Sequence, residues 1–341
     1  MGLIRIYANK IKEMDFKRMD LLATKIAKDN NLSKGKVKRD MFKNFIKYKI
    51  GYTDYFKSNY ANLTEEQKKD FFTSKNWISV INYLNPKEYH ILTNDKIVFA
   101  NIMKEYMNRD FLDIRVSSEE EIEEFLKGKD VVFGKVTRDF GGHGMGKFEV
   151  KDIKSIKEFR ETLLENKQYL LEEAIIQHPK LQEINPYAVN TFRIITLRKD
   201  DVVHVIGNSF RIGLDENYAI QCRDTYMRLN EDGTPASPFV DDDGVIHEKH
   251  PLTEYDFTKI EKIPYVKESF ELVKKAALRI PNIRYIGWDV AITEKGPAII
   301  EGNEFPSYGL IQNYMLNPEN PGHLKQIKDV LGDEFNNIKI K

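Results

Sequence analysis

Apolar residues in the first hundred positions recur every three or four residues, which is the spacing of one face of an α-helix. The pattern covers residues 21–60 with an interruption at residues 30–35, and it predicts a helical hairpin. Residues 64–67 have the composition of a capping box and predict the start of another helix. After a short strand or loop, a further helix is expected to carry on one face Phe99, Ile102, Met103 and Tyr106. The N-terminal region is therefore expected to be mostly helical.

Helix and strand patterns alternate after this region. Ser118, which precedes three glutamates, predicts a helix that ends at Gly128. The elements predicted next are a strand at 130–136, a helix at 155–165, a strand at 168–173, two β-branched strands joined by a turn at 199–201, a helix at 266–280, and a hairpin that turns at 294–296. A helical N-terminal region followed by α+β material is the predicted organisation.

Residues 131–150, VVFGKVTRDFGGHGMGKFEV, contain a glycine-rich segment that differs from the familiar nucleotide-binding loops. Gly141, Gly146 and Lys147 have P-loop spacing, but Phe148 occupies the place of the Ser or Thr that holds magnesium. The alternation after Lys147 predicts a strand, whereas a P-loop or a dinucleotide fingerprint opens a helix. The segment is thus predicted to be strand, glycine loop, strand, an arrangement compatible with a flexible lid over a nucleotide.

The composition narrows the class of protein. Hydrophobic residues make up 41% of the 341 positions, and 53 basic side chains balance 53 acidic ones, which favours a globular protein over a nucleic-acid binder. Cys222 is the only cysteine, which excludes an intramolecular disulfide and favours a reducing compartment. The sequence has neither an apolar run long enough to span a bilayer nor a signal-peptide core. We therefore expect a cytoplasmic protein.

Charge is unevenly distributed along the chain. Residues 1–50 hold 14 Lys and Arg against 5 Asp and Glu. One interpretation is peripheral docking to an anionic surface, either the inner membrane leaflet or an anionic carrier of the substrate. The alternative is a solvated helical face, since lysine-rich helices are common.

The last predicted hairpin carries candidate metal ligands. Asp289 lies on its first strand, and Glu301 and Asn303 lie at alternate positions of the second, so the latter two point to one face. Pairing through the turn can bring Asp289 close to them. Two carboxylates and an amide oxygen suit Mg²⁺ that is shared with nucleotide phosphates. A solvent-facing strand is the alternative.

The order of these elements resembles the ATP-grasp superfamily. A strand lysine, a glycine-rich loop between strands, a strand ending in two glutamates, two arginine-bearing strands and the Asp–Glu–Asn set follow one another over residues 95–315. The phrases NDKIVF, LEEAIIQHP, NTFRIITL and GWDVAITEKGPAIIEGN are most similar to the sugar-transfer-associated branch. The resemblance implies an α+β fold in which two lobes clasp ATP, a small lobe at 95–180 and a large lobe at 181–341. The helical region at 1–94 departs from the family, in which the preceding domain tends to be α/β.

The resemblance also implies a nucleotide-binding set. Two lysines would lie along the phosphates, a glycine-rich flap at 141–146 would close over them, and a hinge between the lobes would contact adenine and ribose. Which glutamate of the hinge contacts which group stays open. The set comprises Lys96, Lys135, Gly141, Gly142, His143, Gly144, Glu172, Glu173 and Ile175.

Two arginines and three polar residues complete the implied site. Arg193 and Arg211 lie in apolar strands and would hold the substrate carboxylate and the transferred phosphoryl group; structural pairing with one of the acids is the alternative. Asn190, His178 and Gln312 match polar positions of the family pattern and are expected to contact substrate. Residues 214–235 lack the glycine-rich run that relatives tend to carry, which leaves the substrate open.

Membership implies a carboxylate–amine ligase that uses ATP and Mg²⁺ and forms an amide through an acylphosphate. The expected partners are an amine and a small-molecule or glycan-linked carboxylate, such as a sugar acid of a surface polysaccharide precursor, and no nucleic acid is expected. A kinase acting on a hydroxyl group and a non-catalytic nucleotide-binding protein are the alternatives. A ligase releases free phosphate when both substrates are present, whereas a kinase releases ADP alone.

Overall fold

The computed structural model describes residues 15–138, 144–215, 224–319 and 322–340. Gly141, Gly142, His143 and Cys222, which the sequence singled out, lie outside the described residues. Within the described part of the chain, no helix combines the length and the apolar character needed to cross a membrane.

The N-terminal region begins with the predicted helical hairpin. Helix α1 covers Phe16–Asp29 and helix α2 covers Lys34–Tyr48. Each begins at a side-chain cap, because Asp15 accepts a hydrogen bond from the backbone N–H of Arg18 and Ser33 accepts one from that of Lys36. Two further helices follow, α3 at Tyr52–Lys57 and α4 at Ser74–Leu84. The expectation of a mostly helical region is confirmed.

Two local predictions in this region were wrong. The capping box at residue 64 forms, since Thr64 and Gln67 exchange backbone-to-side-chain hydrogen bonds of 2.9 and 3.2 Å, but only the 3₁₀ turn Gln67–Asp70 follows it. The predicted strand or loop before residue 95 is instead a short helix, α5 at Ile91–Asn94, which leads into helix α6 at Lys96–Met107. The side chain of Asp95 caps α6. Capping chemistry starts a helix but does not set its length.

The smaller sheet has four antiparallel strands in the order β1-β4-β2-β3. Helices α7 and α8 pack against it around Ile122, Val132 and Leu163, which are all buried. The predicted strand–loop–strand character of the glycine-rich segment is confirmed by β2 and β3. The elements in chain order are β1 Phe111–Asp113, α7 Glu119–Leu126, β2 Val131–Lys135, β3 Gly146–Glu149, α8 Ile156–Glu165 and β4 Leu170–Glu173.

The larger sheet has seven antiparallel strands in the order β11-β10-β5-β6-β7-β8-β9. Its elements are α9 Pro179–Ile184, β5 Thr191–Lys199, β6 Val202–Gly213, β7 Asp224–Met227, β8 Phe239–Asp241, β9 Ile246–His247, α10 Val266–Ala277, β10 Tyr285–Thr293, β11 Gly296–Asn303 and α11 His323–Leu331. One face of the sheet shares a core with α6 and α10. The predicted α+β class is therefore confirmed.

The opposite face of this sheet is apolar at one end and polar at the other. Ile195, Leu197 and Tyr285 are covered by α4 and α11. Two residues further along the same side of β5 and β10, Arg193 pairs in register with Asp289. These two helices cover the apolar end of the face, and the polar end with Arg193 and Asp289 is where a binding site could lie. Because α4 belongs to this core, packing crosses the predicted boundary at residue 94, and the three-part division stays a prediction.

Candidate functional site

A cavity of about 600 Å³ lies between the two sheets, a volume typical of small-ligand sites. Its apolar lining includes Val131 and Phe133 from β2, Leu170 from β4 and Ile300 from β11. Charged and amide side chains from both sheets also line it, and they form two clusters of opposite charge balance.

The first cluster, called the cationic cluster here, consists of Arg109, Lys135 and Glu172. Both oxygens of the buried Glu172 carboxylate are paired, Oε1 with Arg109 Nη2 at 3.0 Å and Oε2 with Lys135 Nζ. Burial alone would raise the pKa of Glu172, but the charges of Arg109 and Lys135 outweigh it and lower that pKa to about 2. Two cations on one carboxylate leave the cluster with one net positive charge.

Arg109 was not anticipated from the sequence. It follows α6 in the run MNRDFLD, where nothing nearby indicates its partners. Its guanidinium donates to the carbonyl oxygens of Ile299 at 2.7 Å and Ile300 at 3.2 Å. Because those carbonyls belong to β11 and Glu172 belongs to β4, Arg109 connects the two sheets beside the cavity.

The second cluster, called the carboxylate cluster here, consists of Asp289, Glu301, Asn303 and Arg193. Asp289 and Glu301 are partners in register across β10 and β11, and Asn303 Nδ2 donates to Glu301 Oε1 at 3.3 Å. Arg193 makes a two-pronged contact with Asp289, with Nε to Oδ1 at 2.5 Å and Nη2 to Oδ2 at 2.8 Å. Burial, and next the neighbouring Asp289 carboxylate, raise the pKa of Glu301. Two carboxylates against one guanidinium leave one net negative charge.

The donor set fits a divalent cation that is shared with a ligand. No group of three or more His, Cys, Asp or Glu side chains in the described ranges could hold a metal alone. Mg²⁺ usually takes one or two carboxylates and completes its shell with phosphates and water. Burial and the close Asp289 carboxylate raise the pKa of Glu301 more than Arg193 lowers it, and a cation held by Asp289, Glu301 and Asn303 would add the missing positive charge.

Both predicted substrate arginines are paired with carboxylates. Arg193 lines the cavity, whereas Arg211 does not. Arg211 donates from Nε to Asp224 Oδ2 at 2.8 Å. Burial raises the pKa of Asp224 and the charge of Arg211 lowers it by less, so the pKa of Asp224 is raised overall. Pairing with a carboxylate, the alternative interpretation of these arginines, is therefore observed for both. Arg193 in addition lines the cavity.

The three residues expected to contact substrate lie away from the cavity lining. Asn190 is buried and donates from Nδ2 to Gln177 Oε1 at 2.9 Å and to the Leu181 carbonyl at 3.0 Å. His178 caps α9 by accepting from the backbone N–H of Lys180 at 3.2 Å. Gln312 accepts from the backbone N–H of Phe72 at 2.6 Å and donates to its carbonyl at 3.2 Å. Each of the three side chains makes at least one hydrogen bond to a backbone group, which a polar sequence pattern does not distinguish from a ligand contact.

Five of the six predicted nucleotide contacts that the structure describes line the cavity, and Gly144 does not. Lys96, Lys135, Glu172, Glu173 and Ile175 all line it, and so does Lys147. Gly144 has φ of +71°, and a Cβ there would lie 2.8 Å from Val136, so glycine is needed where the loop enters β3.

The basic N-terminal region contacts the far end of the larger sheet. Arg18 pairs with Asp243 at 2.9 Å and Lys57 pairs with Asp242 at 2.5 Å, both in the turn after β8. Tyr308 donates to Asp54 of α3 at 3.0 Å. Part of the basic surplus is therefore neutralised within the chain.

Comparison with known proteins gives a family match and a set of distant structures. The sugar-transfer-associated ATP-grasp model matches residues 147–324, just over half of the chain. No curated protein matches. The ATP-grasp ligase PsnB in complex with a minimal precursor is 16% identical with a TM-score of 0.40, over 66% of this chain and 57% of PsnB. D-alanyl-alanine synthetase A from Vibrio cholerae O1 biovar eltor str. N16961 is 15% identical with a TM-score of 0.41, over 73% of this chain and 67% of the other.

A third structure is D-alanine–D-alanine ligase from Bacillus anthracis, at 12% identity and a TM-score of 0.45, over 79% of this chain and 77% of that one. The chain thus spans less than two thirds of the length of PsnB. The family match includes Asp289, Glu301 and Asn303, whereas Lys96 and Lys135 precede it. On this match, the chain belongs to the sugar-transfer-associated ATP-grasp family.

Proposed function

We propose that the protein is an ATP-dependent carboxylate–amine ligase. The observation that carries the proposal is the pair of clusters of opposite net charge on one cavity between two antiparallel sheets. Binding a nucleoside triphosphate needs cations along the phosphates, and transfer of its terminal phosphoryl group needs a bound Mg²⁺. The cationic cluster and the carboxylate cluster supply these two needs from opposite sheets.

The chain's own residues divide the work of binding. Lys135, held by Glu172, would meet the phosphates, and the apolar walls from β2 and β4 would enclose the base. Asp289, Glu301 and Asn303 would hold Mg²⁺, which when bound neutralises charge on the transferred phosphoryl group. Arg193 lies in contact with Asp289 at the cavity, where it would orient that carboxylate and face the reacting group.

The proposed reaction needs no covalent enzyme nucleophile. A substrate carboxylate oxygen attacks the γ-phosphorus of ATP, and the bond to the bridging oxygen breaks to release ADP. The amine nitrogen then attacks the acyl carbon, and phosphate leaves as the amide bond forms. The cavity walls from the two sheets would limit the access of water to the acylphosphate.

The proposed substrate class follows from the family. Sugar transfer is part of the family description, so we infer a sugar acid or another carboxylate of a surface polysaccharide precursor, joined to an amino acid or amine. ATP and a cytoplasmic location accord with this class.

The test measures ADP and free phosphate separately, with Mg²⁺, against a matrix of sugar acids and amines. We expect phosphate release that requires one carboxylate and one amine together, with each omitted in turn as the control. ADP formation from a single hydroxyl compound without free phosphate would indicate a kinase instead. Absence of ADP formation across the matrix, combined with measurable ATP binding, would indicate a non-catalytic nucleotide-binding protein.

A further inference from the structure

The outward face of α2 combines exposed apolar and cationic side chains. Phe42 and Ile46 lie one turn apart, with 61% and 55% of their surface exposed. Arg39 and Lys43 are exposed on the same stripe, because residues three and four apart share a helix face. The opposite side of the helix is buried through Val37, Met41 and Asn44. The outer face of α2 is defined here as Lys36, Arg39, Phe42, Lys43 and Ile46.

This face carries positive charge that the described residues do not neutralise. Asp40 is the one carboxylate in α2, and its side chain turns to Asn44 Nδ2 at 2.9 Å and to the hydroxyl of Tyr55. No ion pair within the described ranges involves Lys36, Arg39 or Lys43. Cations elsewhere on the hairpin do have partners, such as Lys34 with Asp20 at 3.0 Å. In the described ranges, three cations without an ion pair therefore lie beside Phe42 and Ile46 on this face.

The neighbouring helix α1 has an exposed apolar side chain of its own. Leu21 of α1 is 51% exposed and lies on the outward side of that helix with the exposed Lys17 and Lys28. Large apolar side chains are costly to leave in water when they cluster, so such clusters mark contact surfaces. Cations alone would also fit nucleic acid, but the apolar side chains of Phe42, Ile46 and Leu21 would gain nothing from contact with a phosphate backbone.

We propose that the outer face of α2 docks on a bilayer that contains anionic lipids. Cations meet the negative head groups, while Phe42 and Ile46 enter the boundary between head groups and acyl chains. Charge complementarity selects this occupant, because a second copy of the same face would oppose like charges. The surface contains no residue of the cavity, so the proposal is independent of the ligase assignment.

The experiment is co-sedimentation of the full chain with vesicles of phosphatidylcholine alone and of phosphatidylcholine mixed with phosphatidylglycerol. We expect binding to the mixed vesicles that salt weakens and little binding to the neutral ones. The double variant Arg39→Glu/Lys43→Glu should bind at least about tenfold more weakly, since each cation near an anionic surface contributes several-fold. Phe42→Ser/Ile46→Ser should also bind more weakly, with its loss persisting at high salt.

A matched control reverses the same number of charges on another exposed helix. Lys267→Glu/Lys275→Glu on α10 changes the net charge equally and should keep vesicle binding. Circular dichroism verifies that each variant is folded. Equal binding to both vesicle types, no binding to either, or equal loss in the α10 control would overturn the proposal. The proposal would also be overturned if the wild type bound no vesicles but self-associated in sedimentation velocity, and Phe42→Ser/Ile46→Ser abolished that self-association.

Discussion

The two charged clusters use the same kinds of side chain with opposite results. In the cationic cluster, two cations surround one buried carboxylate, and the pKa of Glu172 falls to about 2. In the carboxylate cluster, one guanidinium faces two carboxylates, and the pKa of Glu301 rises. The charge of Glu172 is thus balanced by side chains of the protein, whereas the ionised form of Glu301 would be stabilised by an added cation. The two glutamates therefore differ in role because their neighbours differ in charge.

This comparison separates residues that position other side chains from residues that contact the ligand. Both oxygens of Glu172 are paired with cations, so we infer that Glu172 positions Lys135 and Arg109 and that Glu173 is the better candidate to contact adenine or ribose. That narrows the hinge prediction, in which either glutamate could contact the base. Glu173, partly exposed on the cavity, and the backbone through Ile175 stay as the predicted contacts.

The largest expected effect comes from removing the cation that joins the sheets. Arg109→Met should lower the free energy of unfolding by about 3–5 kcal/mol, because it leaves one oxygen of the buried Glu172 carboxylate and two β11 carbonyls without their partner. Urea denaturation measures it. Arg279→Met is the matched control, since the Arg279–Glu105 pair at 3.8 Å is exposed, and its loss should stay below about 1 kcal/mol. Similar losses in both variants would contradict a structural role for the cationic cluster.

Changing the carboxylate cluster should affect activity and leave stability intact. Glu301→Gln should reduce ATP turnover by about 100-fold or more, because it removes a predicted Mg²⁺ ligand. Its unfolding free energy should be unchanged or higher, since the carboxylate next to Asp289 is lost. Steady-state kinetics across Mg²⁺ concentrations and urea denaturation test both parts. Glu294→Gln, in the exposed turn of the same hairpin, should retain activity; equal turnover of the two variants would remove Glu301 from the metal site.

The pH dependence of stability should distinguish the clusters next. The folded pKa of Glu172, about 2, lies below its usual value of 4.5, so the stability it provides is present above pH 4.5 and is lost as the pH falls. The wild type should lose about 2 kcal/mol relative to Glu172→Gln between pH 6 and pH 3. Urea denaturation of both proteins over that range gives the difference. A difference that is constant with pH would mean that Glu172 is not held ionised by its two cations.

The carboxylate cluster could be predicted from sequence because its geometry is local. The hairpin turns at Gly296, whose φ of +111° favours glycine, and pairing from that turn keeps one register as far as Val290 opposite Ile299. A register shift between Val290 and Asp289 then places Asp289 opposite Glu301. Alternation along β11 then puts Asn303 on the same side. The turn and the strand period of two residues bring Asp289 close to Glu301, whereas the register shift that pairs them directly is not indicated by the sequence.

The cationic cluster could be predicted only in part because its contacts are distant in sequence. Lys135 and Glu172 were recognised as strand residues of a family pattern, but Arg109 reaches a glutamate 63 positions away and a carbonyl 190 positions away. Similarly, Gln312 serves the backbone of Phe72 across 240 positions. Such pairings depend on how separate elements pack, which neither periodicity nor local polarity encodes.

The smallest expected effect tests whether the net charge of the cationic cluster matters for the nucleotide. Lys135→Met changes that net charge from positive to neutral, and we expect ADP to bind about tenfold more weakly, the loss of roughly one charge-assisted hydrogen bond. Lys147→Met is the control, since Lys147 also lines the cavity but pairs with the half-exposed Glu149 at 2.9 Å. Its effect should be smaller because solvent screens that charge. Calorimetric titration with ADP measures both, and equal losses would mean that cavity charge in general, rather than a lysine fixed by Glu172, attracts the phosphates.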